Sequence, residues 1–158
     1  MNLQQVSDQL IDTSMQLLPA RMDSPKARVM LLAIGLQESR FEHTHQIGGP
    51  AHGYWQFESG GGVKGVMNHD SSKGYARDVC ARLGVEWERG AVFDAIEIDQ
   101  VLACAFARLL LWTDPRSLPE IGAQTTAWET YLWNWRPGKP HPNTWPACYQ
   151  AAQKFIQG

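Results

Sequence analysis

A mainly α-helical domain with one irregular or β-hairpin lobe is the fold class that this sequence predicts. Three observations carry it. Apolar residues recur at helical spacing through most of the chain. Ser24-Pro25 is a strong helix start, a hydroxyl cap followed by proline where its missing N–H does no harm. Seven of the fourteen glycines fall between residues 42 and 66, at Gly48, Gly49, Gly53, Gly60, Gly61, Gly62 and Gly65, which marks that segment as the non-helical lobe.

The elements follow in order. Residues 2–18 suit an amphipathic helix through Val6, Leu10, Ile11, Met15, Leu17 and Leu18. The longest apolar stretch predicts a helix over 25–39. Within the lobe, Tyr54-Trp55-Gln56-Phe57 reads as one short strand. A helix over 72–83 takes Ser71 as its cap. A long helix over 95–112, capped by Asp94, carries Leu102, Phe106 and Leu109 as a central core stripe and stops before Pro115. Helices over 122–135 and 143–156 complete the chain, the last with Trp145, Cys148, Tyr149, Ala152 and Phe155 on one side.

Composition bounds the function. At 158 residues, 44% hydrophobic and 19% charged, the chain reads as one globular domain over 1–158, with no internal repeat or linker. A net charge of −2 gives no basic surface for nucleic acid. No run of about 18 apolar residues exists, so no membrane insertion is expected. Residues 1–18 carry Gln4, Gln5, Asp8, Gln9 and Asp12 and lack the apolar core of a secretory leader. Three cysteines, Cys80, Cys104 and Cys148, are an odd number and read as reduced, buried thiols made in a cytoplasm. Gly60-Gly61-Gly62 lacks the spacing of a phosphate loop, so nucleotide binding is excluded.

The chemistry centres on Glu38. On a helix begun at Pro25 it falls one turn after Ile34 and two turns after Leu31, on the face that turns inward. A carboxyl group held against apolar side chains loses hydration and its pKa rises. A carboxylic acid still protonated near neutral pH is what glycosidic bond cleavage needs as general acid. The alternative for Glu38 is a solvated surface group near a helix end.

Fifteen residues later comes Gly53-Tyr54-Trp55-Gln56-Phe57-Glu58, after a polar loop. Glu38-Ser39-Arg40-Phe41, that loop, and Gly53-x-x-Gln56 followed by an aromatic residue resemble, in order and spacing, the lytic transglycosylases and the wider lysozyme-like superfamily. A third element, Tyr131-Leu132-Trp133-Asn134-Trp135-Arg136-Pro137-Gly138, is a looser match to the family's later Tyr-Asn-Ala-Gly. The resemblance spans about residues 25–138. It implies a lysozyme-like helical domain with a catalytic core over 25–138, preceded by an N-terminal helix within 1–20 and followed by a C-terminal helix at 143–156.

By resemblance, Glu38 is the catalytic acid and base of peptidoglycan cleavage. Ser39, Gly53, Tyr54, Trp55, Gln56, Tyr131, Trp133 and Asn134 are the implied substrate-binding residues. Where the family has Tyr-Asn, this chain has Trp133-Asn134, and an indole cannot replace a phenol as donor and acceptor. Tyr131 is the other source of the hydroxyl, and on a regular helix it points about 200° away from Trp133. Of the seven tryptophans, Trp112 and Trp128 are expected in the core and Trp55 at the site.

The resemblance needs one acid, as in a transglycosylase that returns anhydro-muramic ends and uses no cofactor. A lysozyme-type hydrolase needs a second carboxylate. Glu42, Glu58, Asp70 and Glu129 are the candidates for it, and Glu58, two residues after Gln56, is the strongest. A metal site built on His43, His45, His52 and His69 is disfavoured, because neither His-Glu-x-x-His nor Cys-x-x-Cys occurs. A non-catalytic cell-wall-binding or virion structural module is the third reading, and the presence of Glu38 with its serine and phenylalanine argues against it. The expected partner is the peptidoglycan glycan strand. A wall-cleaving domain without an export signal points to a bacteriophage protein, acting as an endolysin with holin-dependent release or as a virion component beside other phage virion proteins.

Overall fold

The computed structural model describes all residues, 1–158. The chain is mainly helical, of the all-α class, with no sheet. The first helical segment begins as α1 (Leu3–Gln5), widens into a π-helical turn at Val6–Ile11 and closes as α2 (Asp12–Gln16). Asn2 and Gln5 form a reciprocal capping box at its start. The long helix α3 (Pro25–Ser39) has the predicted bounds, and the Ser24 hydroxyl accepts from the Ala27 amide at 3.1 Å.

Beyond the loop come a π-helical turn at Ser59–Val63, α4 (Lys64–Asn68), α5 (Lys73–Arg82), α6 (Arg89–Ile98), α7 (Gln100–Trp112), α8 (Gln124–Trp135) and α9 (Trp145–Gln157). Helix α7 is the centre of the molecule. Every residue from Leu102 to Leu111 is buried, so it is surrounded rather than amphipathic. Helix α3 is buried through most of its length and packs along α9. Full burial of each large apolar side chain here stabilises by roughly 1.5–3 kcal/mol before the entropy of ordering it.

Several expectations are corrected. The single helix predicted over 95–112 is two. The chain breaks at Asp99, whose extended backbone (φ −107°, ψ 103°) lets its carboxylate accept from the Val101 and Leu102 amides. The preceding helix starts at Glu88, which accepts from Gly90 and Ala91, so Asp94 lies inside a helix and is no cap. Ser71 does not cap α5 either. The residue before α5 is Ser72, and its buried hydroxyl donates to the Val66 carbonyl at 2.7 Å.

The lobe contains no strand and no hairpin. Two isolated bridges, His45 with His52 and His52 with Phe57, are its only β contacts. Gln56 has φ +53°, so the chain turns where a strand was expected to run straight. From residue 59 the expected lobe is helical. Gly53 (φ +80°) requires glycine twice over, since a Cβ would also stand 2.9 Å from Ile96 Cγ2.

At the other end of α3, Arg40 (φ +55°) and Phe41 (φ +56°) are both left-handed and reverse the chain. The reversal folds the Phe41 ring back onto Gly35, where a Cβ would lie 2.1 Å from the ring carbon Cζ. Ser39 fixes this turn. It is buried, its hydroxyl donates to the Gly35 carbonyl at 3.3 Å, and it accepts from the Phe41 amide at 3.1 Å.

Candidate active site

A cleft of about 640 Å³ opens where three segments meet. Gln37 and Glu38 come from the end of α3. Gln46 to Ala51, Gln56 and Glu58 come from the loop. Tyr131, Trp135, Arg136 and Lys139 come from the end of α8 and the chain beyond it. Glu38 is the partly buried acid of this cleft. Tyr131, buried on α8, donates its hydroxyl to Glu38 Oε1.

The electrostatics of Glu38 follow from these neighbours. Burial pushes its carboxyl up from 4.5 to about 7; the Tyr131 hydrogen bond opposes the rise and the negative charge of Glu58 adds to it. Tyr131 is raised in turn, by burial and by the carboxylate it faces, and stays a neutral donor. The Tyr131 ring is stacked on Trp145 at 5.4 Å and 9°, which fixes the direction of its hydroxyl. This arrangement can deliver a proton from Glu38 near neutral pH and take one back.

A second hollow, of about 530 Å³, is bounded by Arg21, Lys26, Arg108, Trp112 and Arg116 and does not include Glu38. Its carboxylate, Asp114, is held well below the usual range by the Arg116 guanidinium. It offers no protonated acid.

Three of the sequence-predicted residues meet in the cleft with Glu38: Gln56, Glu58 and Tyr131. Gln56 lines the cleft and uses its amide nitrogen to hold the Gly53 carbonyl at 2.9 Å. The others are placed elsewhere. Ser39 belongs to the buried turn after α3. Gly53 packs on α6 and α7. Tyr54 sets its ring edge-on to Phe41 at 5.6 Å, and its amide donates to Gln100 Oε1.

Trp55 is a core residue and cannot touch substrate. It is fully buried, with its indole N–H donating to the Leu31 carbonyl at 2.8 Å. Trp112 and Trp128, expected in the core, are only partly buried. Trp133 is 56% exposed and lies under the Arg116 and Arg136 guanidinium groups, outside the cleft. Asn134 donates to Asp114 at 3.0 Å and to the Thr130 carbonyl at 2.9 Å, so it ties α8 to the turn after α7. The register of α8 thus puts Tyr131 inward and Trp133 outward.

The cleft also holds residues that the sequence reading missed. Trp135 lines it and donates its indole N–H to the Trp55 carbonyl at 2.9 Å. Leu31, Trp55 and Trp135 therefore link the acid-bearing helix, the loop and α8 in one chain of hydrogen bonds. Gln37 bridges to the segment before α9, donating to the His141 carbonyl and accepting from the Thr144 hydroxyl, each at 2.9 Å. His43, Arg136, Lys139 and His141 add polar and basic groups to the rim. The run Trp135-Arg136-Pro137-Gly138, the second half of the third motif, was the signal that could have found part of this wall.

All three cysteines are free thiols, with Cys80 and Cys104 buried. Burial pushes Cys80 up to about 11 and Cys104 up to about 12, so both are inert neutral groups near neutral pH. No helix is long and apolar enough to cross a membrane. Compared with protein-family models, with curated proteins and with solved structures, the chain matches none.

Proposed function

We propose that this protein cleaves the glycosidic bond between N-acetylmuramic acid and N-acetylglucosamine in peptidoglycan, as a lytic transglycosylase of lysozyme-like fold. The observation that carries the reading is Glu38 in the cleft, kept protonated near neutral pH and oriented by Tyr131. Glu38 gives its proton to the bridging oxygen as the bond from that oxygen to the muramic C1 breaks, through an oxocarbenium-like state. The sugar's own primary hydroxyl then attacks C1 and returns its proton to Glu38. An anhydro ring closes, and the acid is regenerated. Tyr131 holds one carboxylate oxygen, so proton transfer falls to the other. Glu58 enters as a nearby negative charge. A phage endolysin or virion protein remains the context proposed for such a domain.

Digestion of purified cell walls by wild type and Glu38→Gln, with mass spectrometry of the fragments, tests this. Wild type releases fragments one water lighter than hydrolysis products, and the variant loses at least about 10²-fold in rate while staying folded. A folded variant that retains more than about a tenth of the rate removes Glu38 from the mechanism.

A hydrolase is the second reading, and the observation favouring it is that Glu58 lines the same cleft as Glu38. Reducing ends on all products, with a Glu58→Gln defect nearly as large as that of Glu38→Gln, would select it.

A further inference from the structure

Outside the cleft lining, two histidines and a glutamate converge. His45 and His52 face each other across an isolated antiparallel bridge, and Glu97 reaches them from α6. One donor atom from each lies within 4.8 Å of the others. The His52 ring is stacked on Phe93 at 3.8 Å and 7°, one helical turn before Glu97, so a single face of α6 holds both the ring and the carboxylate.

The tautomer of the His52 ring follows from its partner. Nδ1 lies 2.9 Å from the Phe93 carbonyl, which can only accept, so Nδ1 carries the hydrogen. In the neutral ring Nε2 then presents a bare lone pair to Glu97 Oε2 at 3.4 Å. His45 Nδ1 stands 3.3 Å from Glu97 Oε1. Both separations exceed the roughly 2.7–2.9 Å of a charge-assisted hydrogen bond. The His45 contact runs to Oε1 and the His52 contact to Oε2. A carboxylate bound through one oxygen therefore takes one of them as an edge of a zinc tetrahedron, roughly 3.3 Å for metal–ligand bonds of about 2.0–2.1 Å. The three donors, within 4.8 Å of one another, draw together on the ion. A carbonyl on the remote nitrogen of a buried histidine is also the arrangement that orients an imidazole toward a metal.

We infer that His45, His52 and Glu97 form a zinc site with a fourth position open to water. Its role is structural. The two histidines bracket the segment Gln46–Ala51, which forms one wall of the cleft, while none of the three ligands lines the cleft itself. Zinc would fasten both ends of that wall to α6. The inference is independent of the wall-cleaving reading, since it uses no residue of that mechanism.

Isothermal titration of the metal-free protein with zinc chloride at pH 7.5 tests it, with thermal unfolding recorded alongside. Wild type binds one equivalent with micromolar or tighter affinity, and its Tm rises. The double variant His45→Ala/Glu97→Gln changes exposed or half-exposed side chains and keeps all three thiols. It should lose at least about 100-fold in affinity together with the Tm rise. Absence of saturable binding in wild type would leave only a histidine–glutamate ion pair and overturn the site. Equal binding by the double variant would place the zinc outside these three residues and overturn the site as well.

Discussion

At Glu38 two neighbours pull in opposite directions, and that makes their contributions separable. Burial is the largest cause of its raised carboxyl, and both smaller ones can be removed singly. Tyr131→Phe deletes a hydrogen bond to the charged form, worth roughly 1.5–3 kcal/mol. The alkaline limb of the activity profile should therefore move up by about one unit or more, alongside a loss of rate. Glu58→Gln deletes a like charge, so the same limb should move down, with little loss of rate in a transglycosylase. Profiles of the two variants that shift the same way would contradict this arrangement of charges. Stability carries the same signature. Because the folded carboxyl is raised from 4.5 to about 7, the native state holds the proton more tightly. The contribution of Glu38 is present below about pH 4.5 and is lost as pH rises through about 7. Glu38→Gln should thus stabilise the protein at pH 8 relative to pH 4, by up to roughly 3 kcal/mol, measured by urea unfolding at the two values.

At the scale of elements, the helix that carries Glu38 was legible because its signals are local. Ser24, Pro25 and the apolar period fix α3 without help from the rest of the chain. The break between α6 and α7 was not legible, because an aspartate inside an apolar run reads equally as a surface residue. Only the extended backbone at Asp99 makes it a cap. The loop was misread for a related reason. Alternating aromatic residues suggest a strand, but Trp55 points into the core to reach a carbonyl of α3, and Gln56 turns left-handed. For the site, Glu38, Gln56, Glu58 and Tyr131 could be named from the sequence. The inward choice of Tyr131 over Trp133 depended on the register of α8, which neighbouring helices set. The contact between Gly35 and Phe41 gives this scale its prediction. Gly35→Ala places a methyl group into the Phe41 ring and should cost about 1–3 kcal/mol or more in urea unfolding, even though alanine is the better helix former. Unchanged or increased stability would mean that Phe41 does not pack there.

Across the whole molecule, the acid and the proposed metal ligands are kept apart, since none of the three lines the cleft. The proposed zinc ligands hold one wall of the cleft from behind, and the proton chemistry needs no ion. Chelation should therefore lower Tm yet leave wall cleavage at moderate temperature within about threefold of the untreated rate. A loss beyond about tenfold at a temperature where the protein stays folded, restored by zinc, would put the metal in the reaction itself. The four non-glycine residues with left-handed backbone, Arg40, Phe41, Gln56 and Arg136, also have a consequence for the molecule as a whole. Two lie two and three residues after the acid and two line the cleft. Each conformation costs roughly 1–2 kcal/mol that glycine would largely recover. A selection for heat tolerance alone would collect glycines at these turns first. Survivors would be hardier and slower, because the bends that aim the acid and shape the cleft would have been traded for slack.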